Sequence, residues 1–559
     1  MLELAHRVYC LNPRQTLCPK ILLEVTQMKF LAIACAIAFT FPASAQVTTS
    51  QYNNQRTGAT LNEKILTPAN VNSRQFGKLG AFKVDGPVFA QPLYLPGVDI
   101  PGKGKRNVLF VATEHDSVYA FDAERPGDPL WHVSFLDSKR RTSAVSADQV
   151  QCPFIYPEVG ITSTPVIDLK TGTLYVLART ELSHTFSDSE FFQHLHALAI
   201  TTGVEKFGGP KLITASVAGK GIGTKNGQIS FDSLSENPRA SLLLANNALY
   251  LTWASSCDVG PYHGWVMAYD PQTLAQKAVL NVTPDGDEGG IWASDTGPAA
   301  DEDGNVYVPT GNGSFNASSG GKDYGDSELK LSLHGQSLEI RDFFTPYDQK
   351  NLSDTDADLG SSGPTLLPDQ PGPHRHLMLQ TGKAGVLYVI DRDHMGGYRA
   401  DGDAVVQKAA LRGGGYGAMA YWNGHVYFAS DNDFLHDFPL KDGRLVVVQP
   451  GKYSRVLFEN PGATPTVSAN GTRDAIVWAV ATRHWNGGER PAVLYAFDAK
   501  NVWQPIYSSE ENSRRDRAAL ATRFVVPIVI NGRVYVGTRS EVDVYGLLPQ
   551  NKTGSGASH

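Results

Sequence analysis

The sequence predicts an all-β protein, a single eight-bladed β-propeller of four-stranded antiparallel blades. Short runs of β-branched and aromatic residues recur along the whole chain, and Gly, Asn and Asp turns separate them. No long segment shows the 3.6-residue period of an amphipathic helix. The chain contains 54 glycines and 33 prolines in 559 residues, so it is rich in turns without being of low complexity. Two stacked β domains are the alternative architecture.

One strand pattern occurs eight times, with a mean spacing of about 61 residues. Its copies lie at 107–112, 173–177, 248–252, 305–309, 386–390, 425–429, 476–480 and 533–537. A small sheet cannot bury a core alone, whereas a radial arrangement buries both faces of each sheet against its neighbours. The early segments 76–84 and 90–95 have no repeat of their own. We expect these N-terminal strands to complete the last blade, around 534–547, and thereby to close the ring.

The N-terminus predicts an exported protein. Met28 and Lys29 precede an apolar run, 30–41, which ends in Pro42-Ala-Ser-Ala45. This is the pattern of a secretory signal peptide over 28–45, and the run is too short to span a membrane. Residues 1–27 are then a non-native upstream extension, with a genuine longer leader as the alternative. We expect the propeller over 46–549, a flexible tail over 550–559, and a periplasmic or extracellular location.

Charge and cysteine content limit the partners and the redox state. The chain has 49 Lys and Arg against 56 Asp and Glu, a net charge of −7, which excludes a nucleic-acid reader that works by neutralising phosphates. Removal of the leader leaves two of the five cysteines, Cys152 and Cys257. In an oxidising compartment these form either a disulfide or two buried thiols, and the sequence leaves both readings open.

The repeat also carries a family resemblance. Ala120-Phe-Asp122, followed by Gly127 and Trp131, resembles the Ala-x-Asp…Gly-x-x-x-Trp repeat of the quinoprotein alcohol dehydrogenases, which use pyrroloquinoline quinone (PQQ). The resemblance extends from about residue 52 to residue 548. It supports the propeller fold, but non-catalytic propellers of the same superfamily carry this repeat as well.

The resemblance implies a cofactor site and a calcium site. Asp258 falls where the family has a calcium-binding Glu, and Asn312, in Thr-Gly-Asn-Gly, falls at a second calcium ligand. Trp292, after Gly289-Gly-Ile, corresponds to the aromatic floor on which PQQ stacks. Lys383 corresponds to the cation that contacts the quinone carbonyls. Three of these residues also have a local interpretation: Asp258 can cap a turn, Asn312 can belong to a plain β-turn, and Lys383 can be an exposed residue of a hairpin turn.

The general base is the weakest match to the family. In 344–360, Asp348 matches the family motif, but Lys350 replaces its Trp and Asn351 replaces its catalytic Asp. An Asn side chain cannot accept a proton at neutral pH. Three further carboxylates follow in the same loop, where a shift could bring one of them to the site: Asp354, Asp356 and Asp358. A solvated acidic loop and a separate calcium loop are the alternatives.

Three functions remain open at this point. The first is an exported dehydrogenase that uses PQQ and calcium to oxidise an alcohol or a sugar hydroxyl. It would pass electrons to a separate acceptor, because the sequence lacks a C-x-x-C-H haem motif. The second is a non-catalytic PQQ-repeat propeller that binds a ligand or a protein. The third is a structural propeller of the cell envelope.

Overall fold

Small antiparallel β-sheets make up almost all of the regular structure. The computed structural model describes residues 45–185, 188–447, 452–483 and 490–549. The segment 1–27, all but the last residue of the predicted leader, and the tail 550–559 lie outside the described residues. In the described ranges, the helices are two short α-helices, Gln349–Asp354 and Ser513–Asp516. Four 3-10 turns accompany them: Ser50–Tyr52, Ser138–Arg140, Ala317–Ser319 and Leu359–Ser361. Within the described ranges, no helix has the length and hydrophobicity to cross a bilayer.

Eight sheets of four or more strands follow one another along the described chain. Sheet 1 contains Leu93–Ile100, Gly104–Ala112, Ser117–Asp122 and Trp131–Ser134. Sheet 2 contains Val166–Asp168, Thr173–Thr185, Asp188–Ala199 and Lys211–Leu212, extended by Thr142–Ser146 and Glu158–Val159. Sheet 3 contains Leu243–Ala245, Ala248–Trp253, Trp265–Tyr269 and Gln276–Asn281. Sheet 4 contains Ala299–Ala300, Val306–Pro309, Glu328–His334 and Ser337–Thr345, with Gly397–Tyr398 added in parallel.

The second half of the chain repeats this arrangement. Sheet 5 contains Thr365–Leu366, Leu377–Thr381, Val386–Asp391 and Gln407–Ala410. Sheet 6 contains Ala420–Trp422, His425–Phe428, Asp433–Lys441 and Tyr453–Phe458, with Arg444–Leu445 beside the third strand. Sheet 7 contains Thr466–Asn470, Arg473–Ala481, Val493–Asp498 and Asn501–Ser508, with Ala59–Thr60 added in parallel. Sheet 8 contains Ile528–Ile530, Arg533–Gly537, Glu541–Leu547 and Phe76–Lys83, and a separate hairpin pairs Ser216–Ala218 with Gln228–Ser230.

The repeated strand pattern falls once in each of these eight sheets. In seven sheets it forms the second strand, whereas in sheet 5 it forms the third strand, Val386–Asp391. Inner strands are buried on both faces, which explains their continuous apolar character: all six residues of Ala248–Trp253 are buried. The sequence pattern therefore identified the inner strands of the sheets.

The N-terminal strands divide between the last sheet and the first. Phe76–Lys83 pairs with Glu541–Leu547, with Phe76 opposite Leu547, as the sequence predicts. The prediction that 90–95 also completes the last sheet is wrong, because Leu93–Ile100 pairs with Gly104–Ala112 in sheet 1. A three-residue turn joins these two strands, and such a short loop costs far less conformational entropy than pairing with the distant C-terminus.

The hydrophobic core lies between successive sheets. Trp478 of sheet 7 belongs to the same buried cluster as Val534 of sheet 8. Tyr535 of sheet 8 shares a cluster with Leu109 of sheet 1. Similar clusters join sheet 3 to sheets 2 and 4, sheet 5 to sheets 4 and 6, and sheet 6 to sheet 7. Each sheet is therefore stabilised mainly by its neighbours.

Candidate functional site

Loops from several sheets line one cavity of about 580 Å³, which we call the Trp292 cavity. Five of the predicted site residues are in its wall: Asp258, Trp292, Asp356, Asp358 and Lys383. These residues lie in four different loops, within sheet 3, between sheets 3 and 4, between sheets 4 and 5, and within sheet 5. The fold thus gathers groups that the sequence presents in separate motifs.

The other predicted residues lie outside the cavity wall. Asn312 is buried and contacts the site through its backbone N–H, which donates to Asp358 Oδ1 at 2.7 Å. Asp348 immediately precedes the helix Gln349–Asp354. Asp354 ends this helix, is exposed, and pairs with Lys350 at 2.7 Å. The structure therefore brings neither Asp348 nor Asp354 to the cavity.

Asp358 and Lys383 form an ion pair in the cavity wall. Lys383 Nζ lies 2.6 Å from Asp358 Oδ2 and also pairs with the exposed carboxylate of Asp356. The Asp358 side chain is only 1% exposed. Burial raises the pKa of Asp358 to about 6, although the Lys383 ammonium opposes this increase. Burial lowers the pKa of Lys383, but its two carboxylate partners more than offset this and raise it overall.

Two glycines allow the backbone to approach Asp358 closely. A Cβ atom at Gly311 would lie 2.2 Å from Asp358 Oδ1, and one at Gly382 would lie 2.3 Å from the Asp358 carbonyl oxygen. Any other residue at either position would collide with Asp358. The Thr-Gly-Asn and Thr-Gly-Lys motifs therefore need their glycines to hold the carboxylate between Asn312 and Lys383.

Trp292 presents an aromatic surface to the cavity from a loop without regular structure. Its indole lies against the backbone of two glycines. A Cβ at Gly290 would lie 3.1 Å from Trp292 Nε1, and one at Gly311 would lie 3.0 Å from its Cδ1. The Nε1 atom is buried and has no hydrogen-bond partner among the described residues. The Gly-Gly-Ile-Trp motif thus seats the ring against the same segment that holds Asp358.

A group of oxygen atoms surrounds Asn312 and Asp258. Asn312 Nδ2 donates to Glu288 Oε2 at 3.0 Å, and Tyr262 donates from its hydroxyl to Asp258 Oδ1 at 2.6 Å. Burial raises the pKa of Glu288 to about 7, and the negative charge of Asp258 adds to this increase. Sequence reasoning missed Glu288 and Tyr262. The available signal was a carboxylate directly before the Gly289-Gly290 turn.

These oxygen atoms are of the chemical type that binds a hard cation. Ca²⁺ prefers carboxylate and amide oxygens, which Asp258, Glu288 and Asn312 supply. Asn312 Oδ1 is buried and has no hydrogen-bond partner in the described structure, so it is available to a cation. No group of three or more His, Cys, Asp or Glu side chains in the described ranges is arranged to hold a metal. The neutral Asn312 oxygen is therefore an essential part of the fit.

A disulfide joins two walls of the Trp292 cavity. Cys152 and Cys257 are bonded, with their Cα atoms 5.5 Å apart and a sequence separation of 105 residues. Cys152 lies in the loop between Thr142–Ser146 and Glu158–Val159, and Cys257 precedes the predicted calcium ligand Asp258. The disulfide alternative of the sequence analysis is thus the observed state.

Sequence reasoning did not identify the cationic part of the cavity wall. Arg239 and Arg523 both line the cavity, together with Phe154, Tyr416 and Phe524. Arg523 is 7% exposed, and burial lowers its pKa to about 10. The two arginines lie in irregular segments outside every recognised motif, so no local pattern marked them.

The fold of this chain is similar to that of several solved dehydrogenase structures. Solved structures with this fold include the quinohemoprotein alcohol dehydrogenase of Comamonas testosteroni, at a TM-score of 0.58 and 14% identity. This similarity covers 91% of the present chain and 82% of the other. The quinohemoprotein alcohol dehydrogenase ADHIIG of Pseudomonas putida HK5 has a TM-score of 0.56 and 14% identity, covering 92% and 82% of the two chains.

A third similar structure is a europium-containing methanol dehydrogenase, with a TM-score of 0.54 and 12% identity, covering 90% of this chain and 98% of that one. No protein-family model matches the sequence. No curated protein matches it closely enough to count as a relative. At such low identities these similarities show the fold, and the site must be argued from its own residues.

Proposed function

We propose that the chain is an exported dehydrogenase that uses PQQ and calcium to oxidise an alcohol or a sugar hydroxyl. The observation that carries the proposal is the convergence of Asp258, Trp292, Asp358 and Lys383 on one cavity. A planar cofactor needs a flat aromatic surface, a hard cation needs oxygen ligands, and a reacting hydroxyl needs a base. The Trp292 cavity offers all three.

The proposed architecture is a closed eight-bladed propeller. In support, each sheet shares a buried cluster with the next, and Tyr535 of sheet 8 packs in one cluster with Leu109 of sheet 1. The N-terminal strand Phe76–Lys83 forms an edge of sheet 8, so the two ends of the chain meet in that sheet. Such a ring places the loops of many blades around one site.

The cofactor would lie against Trp292, with the calcium ion held by Asp258, Glu288 and Asn312. When bound, PQQ would supply a two-electron acceptor, and calcium would supply a Lewis acid. Lys383 would supply a fixed positive charge in the cavity wall, which would stabilise negative charge that develops on the cofactor. Tyr262 holds one Asp258 oxygen through its hydrogen bond and thereby orients the other.

Among the four aspartates that the sequence offers, Asp358 is the proposed general base. Its pKa of about 6 means that it is ionised at neutral pH and still basic enough to accept a proton. The Asn312 N–H and Lys383 fix its two oxygens. In the proposed step, an Asp358 oxygen would accept the O–H proton of the substrate while the C–H bond breaks and the C=O bond forms; bound PQQ would be the acceptor of the hydrogen and its electron pair.

Export is part of the same proposal. The Cys152–Cys257 disulfide is typical of proteins that fold in an oxidising compartment, which agrees with the leader predicted over 28–45. Because the sequence has no haem-attachment motif, a separate electron acceptor would reoxidise the quinone.

Binding and turnover test the proposal separately. Equilibrium dialysis of the full chain with PQQ and CaCl₂ should give micromolar or tighter binding, which Trp292→Ala should weaken. Dye reduction with primary alcohols and sugars should then detect turnover. Asp358→Asn should lower kcat by about 10²- to 10⁴-fold and leave PQQ affinity unchanged. Asp354→Asn, in the same loop but outside the cavity, is the matched control. Failure to bind PQQ at micromolar concentrations would refute the proposal.

A ligand-binding propeller without catalysis is the second candidate. Asn351, which stands where the family has its base, lies on an exposed face of Gln349–Asp354 and cannot accept a proton. Asp358 is also already neutralised by Lys383. This candidate predicts saturable binding in the Trp292 cavity with no dye reduction for any alcohol.

A further inference from the structure

Residues 47–58 form hydrogen bonds to all eight sheets, and we call this segment the N-terminal strap. Six of its backbone carbonyl oxygens accept from sheets 1, 2, 4, 5, 6 and 7, and two of its side chains bond to sheets 3 and 8. The partners in sheets 1 to 8 are, in order, Tyr94, Ile167, Leu244, Ala300, Leu366, Tyr421, Val467 and Val529. Each partner belongs to the strand that precedes an inner strand of its sheet and pairs with it. Because twelve residues span at most about 40 Å even when fully extended, these eight strands lie close around the strap.

The strap contains a fully buried arginine, Arg56. Its guanidinium donates from Nε to the Pro298 carbonyl at 2.9 Å and from Nη2 to the Leu242 carbonyl at 3.3 Å. Within the strap, Nη1 donates to the Thr49 hydroxyl at 2.7 Å and to the Ser50 carbonyl at 2.9 Å. Burial lowers the pKa of Arg56 to about 9, which leaves the group protonated at neutral pH. A buried cation is stable only when its donors are satisfied, so these bonds fix the strap against the segments that enter sheets 3 and 4.

The strap holds one side of the loop 291–298, which presents Trp292 to the cavity. Arg56 binds the carbonyl oxygen of the last residue of this loop. Nearer to the indole, Gln51 Nε2 donates to the Asp295 carbonyl oxygen at 3.5 Å, and the Gln51 side chain is fully buried. The strap therefore contacts the Trp292 loop at two points from below the cavity wall.

A second set of bonds holds the other side of this loop. Ala293 and Ser294 donate their N–H groups, at 3.0 and 3.1 Å, to the carbonyl oxygens of Gly360 and Ser361, just after the proposed base. Between these two sets of bonds the backbone is strained, because Ala293 and Asp295 have φ angles of 36° and 65°. Such a conformation persists only when the surrounding structure holds it. The loop that carries the indole thus depends on restraints from both sides.

We propose that the N-terminal strap positions the loop of Trp292, and that Arg56 is the positioning residue through which it does so. The inference rests on the proposed function in one respect, because it takes the indole as the surface for the cofactor. Without the bond from Arg56 to Pro298, the strained loop would relax, and the indole would leave its place against Gly290 and Gly311. Cofactor affinity is therefore coupled to the seating of the strap, although none of the described residues 47–58 lines the cavity.

Hydrogen exchange of the full chain without added cofactor tests the positioning role by itself. Arg56→Met should accelerate exchange of the Ala293 and Ser294 amides by about tenfold to a hundredfold, the range of a lost hydrogen bond from a charged donor. Asn54→Ala is the matched control, because it removes a strap bond to the Leu244 carbonyl, at 2.9 Å, that does not involve the Trp292 loop. It should change exchange of the same two amides by less than about twofold.

Equilibrium dialysis with PQQ and CaCl₂ supplies the second measurement. Arg56→Met should weaken PQQ binding by about tenfold, whereas Asn54→Ala should leave it unchanged. Arg56→Lys keeps the charge and one donor group, so it should restore part of the affinity and part of the amide protection. A residue that only supported the fold would give no such difference between two variants of the same strap.

If Arg56→Met does not fold, Gln51→Asn applies the same test, because Asn tolerates the φ of 57° at this position but is too short to reach Asp295. It should accelerate exchange of the loop amides by about threefold. The proposal is overturned if these amides exchange as in the wild type, or if Asn54→Ala alters exchange and PQQ affinity as much as Arg56→Met does. Faster loop exchange in Arg56→Met, in a protein that does not bind PQQ at all, would support the strap and refute the dehydrogenase.

Discussion

Replacing Lys383 with Met tests the ion pair on which the site is built. The variant keeps the length of the side chain but removes the charge that faces Asp358, whose carboxylate is only 1% exposed. Breaking a buried ion pair by removing one partner costs about 3–5 kcal/mol. Lys383 is 22% exposed and Asp358 keeps its bond from the Asn312 N–H, so we expect about 3 kcal/mol at pH 8.

The loss of stability caused by Lys383→Met should be smaller at acidic pH. Without Lys383, the folded-state pKa of Asp358 rises further above its unfolded value of about 3.9. A carboxyl group whose pKa is raised in the folded state stabilises the fold at any pH below its unfolded-state pKa. This stabilisation is lost as the pH rises through the folded-state pKa. Each pH unit is worth about 1.4 kcal/mol, so the loss should fall to roughly 1 kcal/mol or less at pH 5.

Urea unfolding followed by tryptophan fluorescence at pH 5 and pH 8 measures both effects. Lys350→Met is the control, because the Lys350–Asp354 pair is exposed on both sides, and it should change stability by less than about 0.5 kcal/mol. The double variant with Asp358→Asn should recover most of the loss at pH 8. A Lys383→Met protein as stable as the wild type, or one whose loss does not depend on pH, would refute the reasoning.

The remaining predictions concern the fold and its pH dependence. Phe76→Ala should cost about 3–5 kcal/mol in urea unfolding, because Phe76 is fully buried 4.8 Å from the Tyr507 ring; a loss below 1 kcal/mol would mean that Phe76–Lys83 is not needed in sheet 8. Replacing Cys152 and Cys257 with Ser should cost about 4 kcal/mol, since their bond closes a long loop, and an unchanged melting temperature would contradict this. Burial raises the pKa of Glu114 to about 7, so wild-type stability should fall by up to about 3 kcal/mol as the pH rises from about 4.5 to 7. Glu114→Gln should flatten that fall, and identical pH profiles of the melting temperature would contradict the assignment.

The strands were predictable because their signal is local. Each inner strand is a run of β-branched and aromatic residues between turn residues, and such runs form strands wherever both faces are buried. Pairing is not local, which explains the different outcomes for 76–84 and 90–95. The first segment pairs across the length of the chain, whereas a short hairpin turn keeps Leu93–Ile100 in sheet 1.

Residues of the cavity wall could be predicted from the sequence only where they belong to a recognisable motif. Asp258, Trp292 and Lys383 each lie in a recognisable local pattern, and all three line the cavity. Which aspartate of the acidic loop turns inward depends on the helix Gln349–Asp354, because it sets the direction of the chain that follows. Asp354 ends this helix in solvent, whereas Asp358 lies beyond it and is buried between Asn312 and Lys383.

Groups that meet only through tertiary contacts left little or no sequence signal. Arg239 precedes sheet 3 in the sequence and Arg523 precedes sheet 8, so five sheets lie between them along the chain. In the fold, both pack on Phe524. Glu288 gains its role from the Asn312 amide, which belongs to another segment. Their importance depends on charge and burial, which composition and periodicity do not report.

A crystal structure of the protein grown with PQQ and CaCl₂ tests the central claim most directly. The account predicts the quinone rings on the Trp292 indole inside the cavity, with a cation bound by Asp258 and the Oδ1 atom of Asn312. A cavity that holds neither group, in a protein whose fold is intact, would contradict it.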